Sequence, residues 1–263
     1  MPVASTAVLS ALSGGCVGFT LGLIGGGGSV LAVPLLIYAV GIDDPHVAIG
    51  TSALAVSLNA FVNLVPHTRA GNVRWRSALL FAAAGAVGAS GGSALGKLLN
   101  GPTLLFAFGL AMLAVAAAML GRRPDGVGRP QCTSLRCSIA LAVAGLATGG
   151  LAGFFGIGGG VLIVPALVFT TGMPILEAIG TSLVSVGTFG LTTAGSYAVS
   201  GYINWTVAAQ FIVGGIVGGW GGTRLVRYLA ASRRGLNLVF AAVVSGVGFY
   251  ILADTAGAVF ATP

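Results

Sequence analysis

Long apolar runs separated by short polar turns set the pattern of this chain. In order, the runs cover residues 7–24, 29–40, 47–66, 77–96, 103–120, 138–155, 161–171, 178–199, 206–225 and 235–252. Most approach the roughly 20 residues that carry an α-helix across a bilayer. The runs 29–40 and 161–171 are shorter, of a length more typical of re-entrant segments than of full spans. Each follows a glycine cluster: Gly25, Gly26, Gly27 and Gly28 in the first case, Gly156, Gly158, Gly159 and Gly160 in the second. The pattern predicts an all-α polytopic membrane protein with a glycine-rich hairpin or broken helix at each cluster. Glycine at such a tip tolerates unusual backbone angles and lets another group approach the main chain.

The two clusters belong to a longer duplication. Gly22, Gly25, Gly27, Gly28 and Pro34 map onto Gly153, Gly156, Gly158, Gly159 and Pro165 with one constant offset. Ala48, Ile49, Gly50, Thr51 and Ser52 recur as Ala178, Ile179, Gly180, Thr181 and Ser182. Further on, Gly71 and Trp75 match Gly201 and Trp205, and Gly85, Gly88, Gly91 and Gly92 match Gly215, Gly218, Gly221 and Gly222. One residue is lost between the first two blocks, in the turn after the proline. Such an order at fixed spacing marks an internal repeat. The boundaries predicted are a membrane repeat over 1–121, a basic linker over 122–136 and a second membrane repeat over 137–263. Each repeat is a glycine-rich hairpin plus three spans.

Composition agrees with a membrane protein. Of 263 residues 56% are hydrophobic and 6% charged, and mean hydropathy is +1.01. A soluble domain carries about a quarter charged residues, so this chain has too few for a soluble surface. The net charge of +7 does not indicate nucleic acid, because the basic residues sit only in the gaps between apolar runs, as in cytoplasmic loops. Cys16, Cys132 and Cys137 have no metal-ligand or redox spacing. A disulfide between the last two is not expected in a reducing cytoplasmic loop. The start of the chain has no basic stretch of a cleavable signal peptide.

The arginines orient the repeats. The linker carries Arg122, Arg123, Arg129 and Arg136 and is placed in the cytoplasm. One crossing per full span then puts the loop with Arg69, Arg74 and Arg76 inside and the Lys97 turn outside. In the second repeat the turn over 201–205 falls outside and the basic turn over 227–234 inside. Equivalent loops have thus exchanged their charge, as the positive-inside rule requires for halves inserted in opposite senses. This is the inverted-repeat plan of many secondary transporters, with broken helices lining a site at the repeat interface. Both termini fall outside. A parallel-repeat plan follows instead if each glycine cluster breaks a helix that crosses once, and it leaves several arginines outside.

Polar residues within spans are costly in a bilayer and so informative. The span after the first hairpin carries Ser52, Asn59, Asn63 and His67 on one helical face. Its counterpart carries Ser182, Ser185, Thr188, Thr192 and Ser196. The faces differ, since Asn59 meets Phe189 and Asn63 meets Thr193 in the alignment of repeats. No carboxylate lies deep in a span; Asp43, Asp44, Glu177 and Asp254 sit near turns or the chain end. The remaining chemistry is backbone N–H groups at glycine tips and helix N-termini, together with hydroxyls and amides, which suits an anion. The candidate binding residues are Gly25, Gly26, Gly27, Gly28, Ser29, Thr51, Ser52, Asn59, Asn63, Gly156, Gly158, Gly159, Gly160, Thr181, Ser182 and Ser185, with His67 as a candidate proton relay.

Plainer roles compete with these. Glycine clusters also serve close helix packing, serine and threonine hydroxyls can satisfy their own helix, and Trp75 and Trp205 fit an aromatic belt. Neither cluster carries the Lys of a phosphate-binding loop, and Val30 and Val161 stand where a dinucleotide fingerprint needs its third glycine. No catalytic constellation, metal-ligand set or cofactor motif is present in the pattern, so no enzyme activity is expected.

The duplicated Gly-x-x-Gly-x-Gly-Gly block followed by a proline, with the repeated Gly-Thr-Ser, resembles the sulfite exporter TauE/SafE family, also called the toluenesulfonate uptake permease family. The resemblance covers nearly the whole chain. It implies a multi-pass transporter of the bacterial inner membrane that moves small sulfur-containing anions such as sulfite, sulfoacetate or related organosulfonates, by alternating access. An anion channel on the same fold, a transporter of small carboxylates, and a non-transporting partner subunit are the alternatives. The bilayer and an anionic substrate are the expected partners, and a homodimer is expected from the apolar outer faces.

Overall fold

The computed structural model describes residues 3–120, 135–156, 160–228, 242 and 244–255. Every regular element among them is helical. The first repeat opens with α1 (Val3–Ile24) and reverses into a return arm. That arm is a 3₁₀ helix (Gly25–Leu31), one α turn (α2, Ala32–Pro34) and a π turn (Leu35–Ala39). Then come α3 (Pro45–Arg69), α4 (Trp75–Gly96) and α5 (Gly101–Leu120). The second repeat runs through α6 (Leu135–Phe155), α7 (Gly160–Thr171), α8 (Ile175–Val199) and α9 (Trp205–Tyr228), and ends in a helix over 244–255, here α10. The predicted linker lies outside the described residues except at its last two positions, which belong to α6.

Ser5–Leu23, Pro45–Arg69, Trp75–Gly96 and Leu135–Phe155 are long and apolar enough to cross a membrane, and Gly28–Ala39, Gly101–Ala114 and Leu162–Thr171 are shorter apolar helical segments. The chain is a multi-pass membrane protein. Pro45 begins α3. It occupies the first turn of α3, where its missing N–H costs nothing, and the Asp44 carboxylate accepts from the His46 N–H at 2.8 Å.

Both predicted glycine breaks occur at the ends of long helices. Gly156 ends α6 with φ of +67°, a left-handed conformation that a side chain would strain. Gly28 folds back against Thr20 and Leu21 of α1, and a Cβ there would collide with both. The chain therefore turns sharply and returns alongside the helix it has just left.

The repeats interlock through glycine. A Cβ at Gly14, Gly18 or Gly22 of α1 would collide with backbone of Phe211, Gly215 or Gly219 of α9. A Cβ at Gly145, Gly149 or Gly153 of α6 would meet Phe81, Gly85 or Ala89 of α4 in the same way. These are equivalent positions in the two repeats. Gly214, Gly218 and Gly222 press back on α1, and Gly88 and Gly92 on α6. Each repeat thus lends its first helix to the fourth helix of the other. Residue numbers rise together along both pairs, so both are parallel.

The repeat-mates α3 and α8 cross antiparallel: Gly50 meets Tyr197 and Tyr202, Ser57 meets Gly187, and His67 meets Gly180. The mates α5 and α10 also run antiparallel, with Gly109 against Leu252 and Met112 against Gly248. One end of the molecule gathers the start of α3 and the end of α8; the other gathers the end of α3 and the start of α8. The first hairpin opens and closes at the His46 end, and the second at the opposite end, near Arg74. Arg69, Arg74, Arg76, Arg136 and Arg224 all lie towards the Arg74 end, and Lys97 lies at the His46 end.

Cys16 is free, as expected. Cys137 is not: it is disulfide-bonded, contrary to the expectation of a reduced thiol, and its partner lies outside the described residues.

The glycine seams generate a test. Gly18→Ala and Gly149→Ala each force backbone apart, and overpacking of this kind costs about 1–3 kcal/mol or more. Both variants are expected to unfold at clearly lower temperature in detergent. Gly91→Ala, which meets nothing within 4 Å, should unfold like the wild type. Equal unfolding temperatures in all three would contradict the interlocked packing.

Candidate functional site

The centre of the molecule is the α3–α8 crossing. The Ser57 Oγ donates to the Gly187 carbonyl at 2.6 Å. The two residues hold matching positions in the duplicated sequence. Moving outward, the Thr51 Oγ1 accepts from the Asn204 N–H, and the Thr181 Oγ1 accepts from the Arg74 N–H, each at 3.0 Å. These are again equivalent contacts: each Gly-Thr-Ser block fastens the loop that enters the other repeat's fourth helix. Ser52 and Ser182 donate to their own helix, at Ile49 and Ile179. All four side chains are buried.

The two halves differ where the sequence places unlike residues. Asn59 is fully buried, and its amide fills the space that Gly215 of α9 leaves open. Its mate Phe189 fills the space left by Gly85, the mate of Gly215. One steric design thus holds a polar amide on one side and a phenyl ring on the other. Asn63 lies against Gly219 and donates from Nδ2 to the Asn59 carbonyl at 2.9 Å. Neither amide atom of Asn59 has a hydrogen-bond partner among the described residues, nor has the Ser185 Oγ. An orphaned buried polar group costs about 1–3 kcal/mol, so three such atoms around the crossing need a reason. With Ser57 opposite Gly187, the antiparallel register sets Asn59 and Ser185 at the same height.

The glycine tips are less compact a feature than the sequence suggested. The Gly156 turn packs on Ile49, one residue before the first Gly-Thr-Ser block, at the His46 end. The Gly25–Leu31 segment packs on α8 and on α7, so the return arms touch each other while the two turns lie towards opposite ends. Gly25, Gly26, Gly27, Gly28 and Ser29 all lie in that 3₁₀ segment, with Gly28 and Ser29 buried. Gly160 begins α7 and is buried, whereas Gly158 and Gly159 lie outside the described residues. His67 sits at the far end of α3 with its Cβ against Gly180, and its Nδ1 has no partner among the described residues. The candidates therefore fall into a central polar group on α3 and α8, and two peripheral turns.

The ends of the crossing are closed by different chemistry. At the Arg74 end, Arg74 Nε donates to Glu177, a bond that raises the arginine pKa above its ordinary value and keeps it charged. At the other end, the His46 ring lies 5.4 Å from Tyr202 and 6.4 Å from Tyr197. Lys97 closes the same cluster, donating to the Ser196 carbonyl and the Ser200 Oγ at 3.1 Å each. Sequence reasoning passed over His46, Lys97 and Tyr197. The available signal was the repeat offset, which pairs Tyr197 with His67.

An all-helical, duplicated, multi-pass chain with a polar crossing at its centre defines a membrane transporter. Residues 10–251 match the family model described as sulfite exporter TauE/SafE, and the chain belongs to that family. It is 52% identical over 241 residues to a "Probable membrane transporter protein" of Xylella fastidiosa (strain Temecula1), covering 91% of this chain and 92% of that one. It is 29% identical over 234 residues to "Probable membrane transporter protein YunE" of Bacillus subtilis, covering 81% and 84%. A protein of Methanocaldococcus jannaschii, "Probable membrane transporter protein MJ0441", is 29% identical over 188 residues, 68% of each chain. No solved structure matches.

The two loop bonds make a paired prediction. Thr51→Val and Thr181→Val each remove one acceptor and leave a backbone N–H unpaired, for a loss of about 1–3 kcal/mol. Both should lower the unfolding temperature in detergent by similar amounts. A large effect from one and none from the other would argue against equivalent roles.

Proposed function

We propose that the protein is a secondary transporter of small sulfur-containing anions, working by alternating access between two inverted repeats in the bacterial inner membrane. The observation that carries this reading is Asn59: a fully buried amide with neither atom bonded among the described residues, at the centre of a membrane transporter fold. Family membership supports the class of substrate, since the family is described as sulfite exporters. The antiparallel crossing of α3 with α8, and the hairpins that open towards opposite ends, support the inverted arrangement. The gathering of arginines at one end supports placing that end in the cytoplasm.

In this mechanism the anion sits beside the α3–α8 crossing. The Asn59 Nδ2 group donates to it, with Ser185 as a further donor from α8 and Asn63 holding the Asn59 backbone. Ser29 and the amides of the glycine arms, Gly25 to Gly28 with Gly156 and Gly160, form the outer walls that part as the repeats rock. Thr51, Thr181, Ser52 and Ser182 hold the loops and helix ends against which that motion works. Neutral donors suit an anion that must also leave, because a fixed buried cation would retain it. Rocking about the Ser57–Gly187 contact, with the two glycine seams moving as rigid pairs, exposes the site to one side and then the other.

Uptake of labelled sulfite and sulfoacetate into proteoliposomes tests the reading. Asn59→Ala removes a hydrogen bond to a charged solute, worth about 1.5–3 kcal/mol, and should cut the initial rate about 10- to 100-fold. The same change relieves an orphaned amide, so the unfolding temperature should hold or rise. Asn59→Phe copies the Phe189 arrangement and should also fold while transporting poorly. Unchanged flux in both variants would remove the central site. Saturation separates a transporter from a channel, and acetate competing as well as sulfite would replace the sulfur assignment with a carboxylate one.

A further inference from the structure

The cluster at the His46 end has no part in the mechanism above, yet it holds polar groups that nothing among the described residues satisfies. Tyr197 is fully buried, and its hydroxyl has no hydrogen-bond partner among the described residues. The same is true of His46 Nε2. Both rings belong to one stack, with Tyr202 as its third member. The Lys97 ammonium lies 5.8 Å from the centre of the Tyr197 ring, and its hydrogen bonds go to a carbonyl and a hydroxyl rather than to a carboxylate. Among the described residues, a positive charge with no carboxylate bonded to it, a buried hydroxyl and a buried imidazole nitrogen thus sit in one cluster, built from the turn after α4, from α8 and from α3. At the opposite end of the α3–α8 crossing, the Arg74 charge is instead paired with Glu177. The two ends are therefore not interchangeable.

The state of His46 decides what this cluster offers. Its Nδ1 faces the Asp44 Oδ1 at 3.4 Å. A neutral ring that carries its single proton on Nδ1, the side facing that carboxylate, presents a lone pair at Nε2. A lone pair repels an anion. Protonation turns Nε2 into a donor and adds a positive charge beside that of Lys97. The other charged or titratable groups facing the ring are Asp44 and Asp43 in its own turn, Tyr197 from α8, Tyr202 from the following loop, and Lys97 beyond Tyr197.

We propose that Lys97, the Tyr197 hydroxyl and protonated His46 form a second anion-binding site at this mouth of the protein, one that takes a small monoanionic oxyanion together with a proton. The inference rests on the reading of the chain as an anion transporter, and makes the mouth the place where anion and proton are bound together. Linkage requires reciprocity: acid tightens anion binding, and the bound anion holds the proton on His46. Raising the pH empties the site by removing the Nε2 donor.

Labelled methanesulfonate is the probe, because it remains a monoanion at every pH used. Binding is measured by equilibrium dialysis on purified full-length protein in detergent, at pH 5.5 and pH 8.0, in an Asn59→Ala background that disables the central site. Binding is expected to be about tenfold tighter at pH 5.5, as for one charge-assisted hydrogen bond gained. Adding His46→Gln should abolish the pH difference, whereas His67→Gln should keep it. Lys97→Met should weaken binding at both pH values. Tyr197→Phe removes a single oxygen, leaves the fold intact, and should weaken binding at both pH values while keeping the pH difference.

Saturable binding in wild type that vanishes in the Asn59→Ala background would show that the central site alone exists and would overturn the mouth site. Binding that does not change with pH, or a pH difference that survives His46→Gln, would overturn it as well, as would absence of binding in every protein. None of these results bears on whether Asn59→Ala lowers flux in vesicles, so failure of the mouth site and failure of the central site are read separately.

Discussion

Everything in this molecule depends on how closely two pairs of helices approach. Within a bilayer, lipid tails are as apolar as leucine, and helices gain little from hiding apolar surface from each other. What remains is van der Waals contact, which requires the backbones to come near. The glycines on α1 and α9, and on α6 and α4, remove the side chains that would hold those backbones apart. Because α1 belongs to one repeat and α9 to the other, close packing at each seam ties the two halves together. Neither repeat can bury its own first helix without the other.

That exchange also fixes the centre. With the seams on the outside, α3 and α8 are left to cross each other, and Ser57 and Gly187 meet almost on the symmetry relation itself. Small residues are needed at the crossing because two equivalent helices must pass there. Around it the symmetry is kept in backbone contacts, such as the paired threonine bonds to the entering loops, and broken in the side chains. Asn59 and Phe189 occupy matching spaces opposite Gly215 and Gly85. The frame is thus repeated while its lining is not.

Much of the frame was legible in the chain. The apolar runs, the duplication and the glycine spacing anticipated helices that the structure contains, because span length and repeat register are local properties of the residue pattern. Asn59 and Asn63 stood out for the same reason: polar side chains in an apolar run need no structure to be noticed. The return arm was only partly legible. Its 3₁₀ and π geometry, and the way Gly28 seats against Thr20 and Leu21, depend on what α1 allows beside it. The start of α3 likewise rests on a local contact, the Asp44 cap on the turn that Pro45 opens.

The amino-acid sequence by itself determined that this is a duplicated, multi-pass, all-helical protein of a transporter family, since hydropathy and repetition survive without any contact. Tertiary structure alone decided which polar groups have partners. Thr51 and Thr181 are occupied by loops more than a hundred residues away, Ser52 and Ser182 by their own helices, and Asn59 and Ser185 by nothing among the described residues. It also brought His46, Tyr197 and Lys97 to one end of the crossing. The physical reason is that a hydrogen bond is a property of two positions in space, and where the second position lies outside the same helix or turn it is mostly in the other repeat.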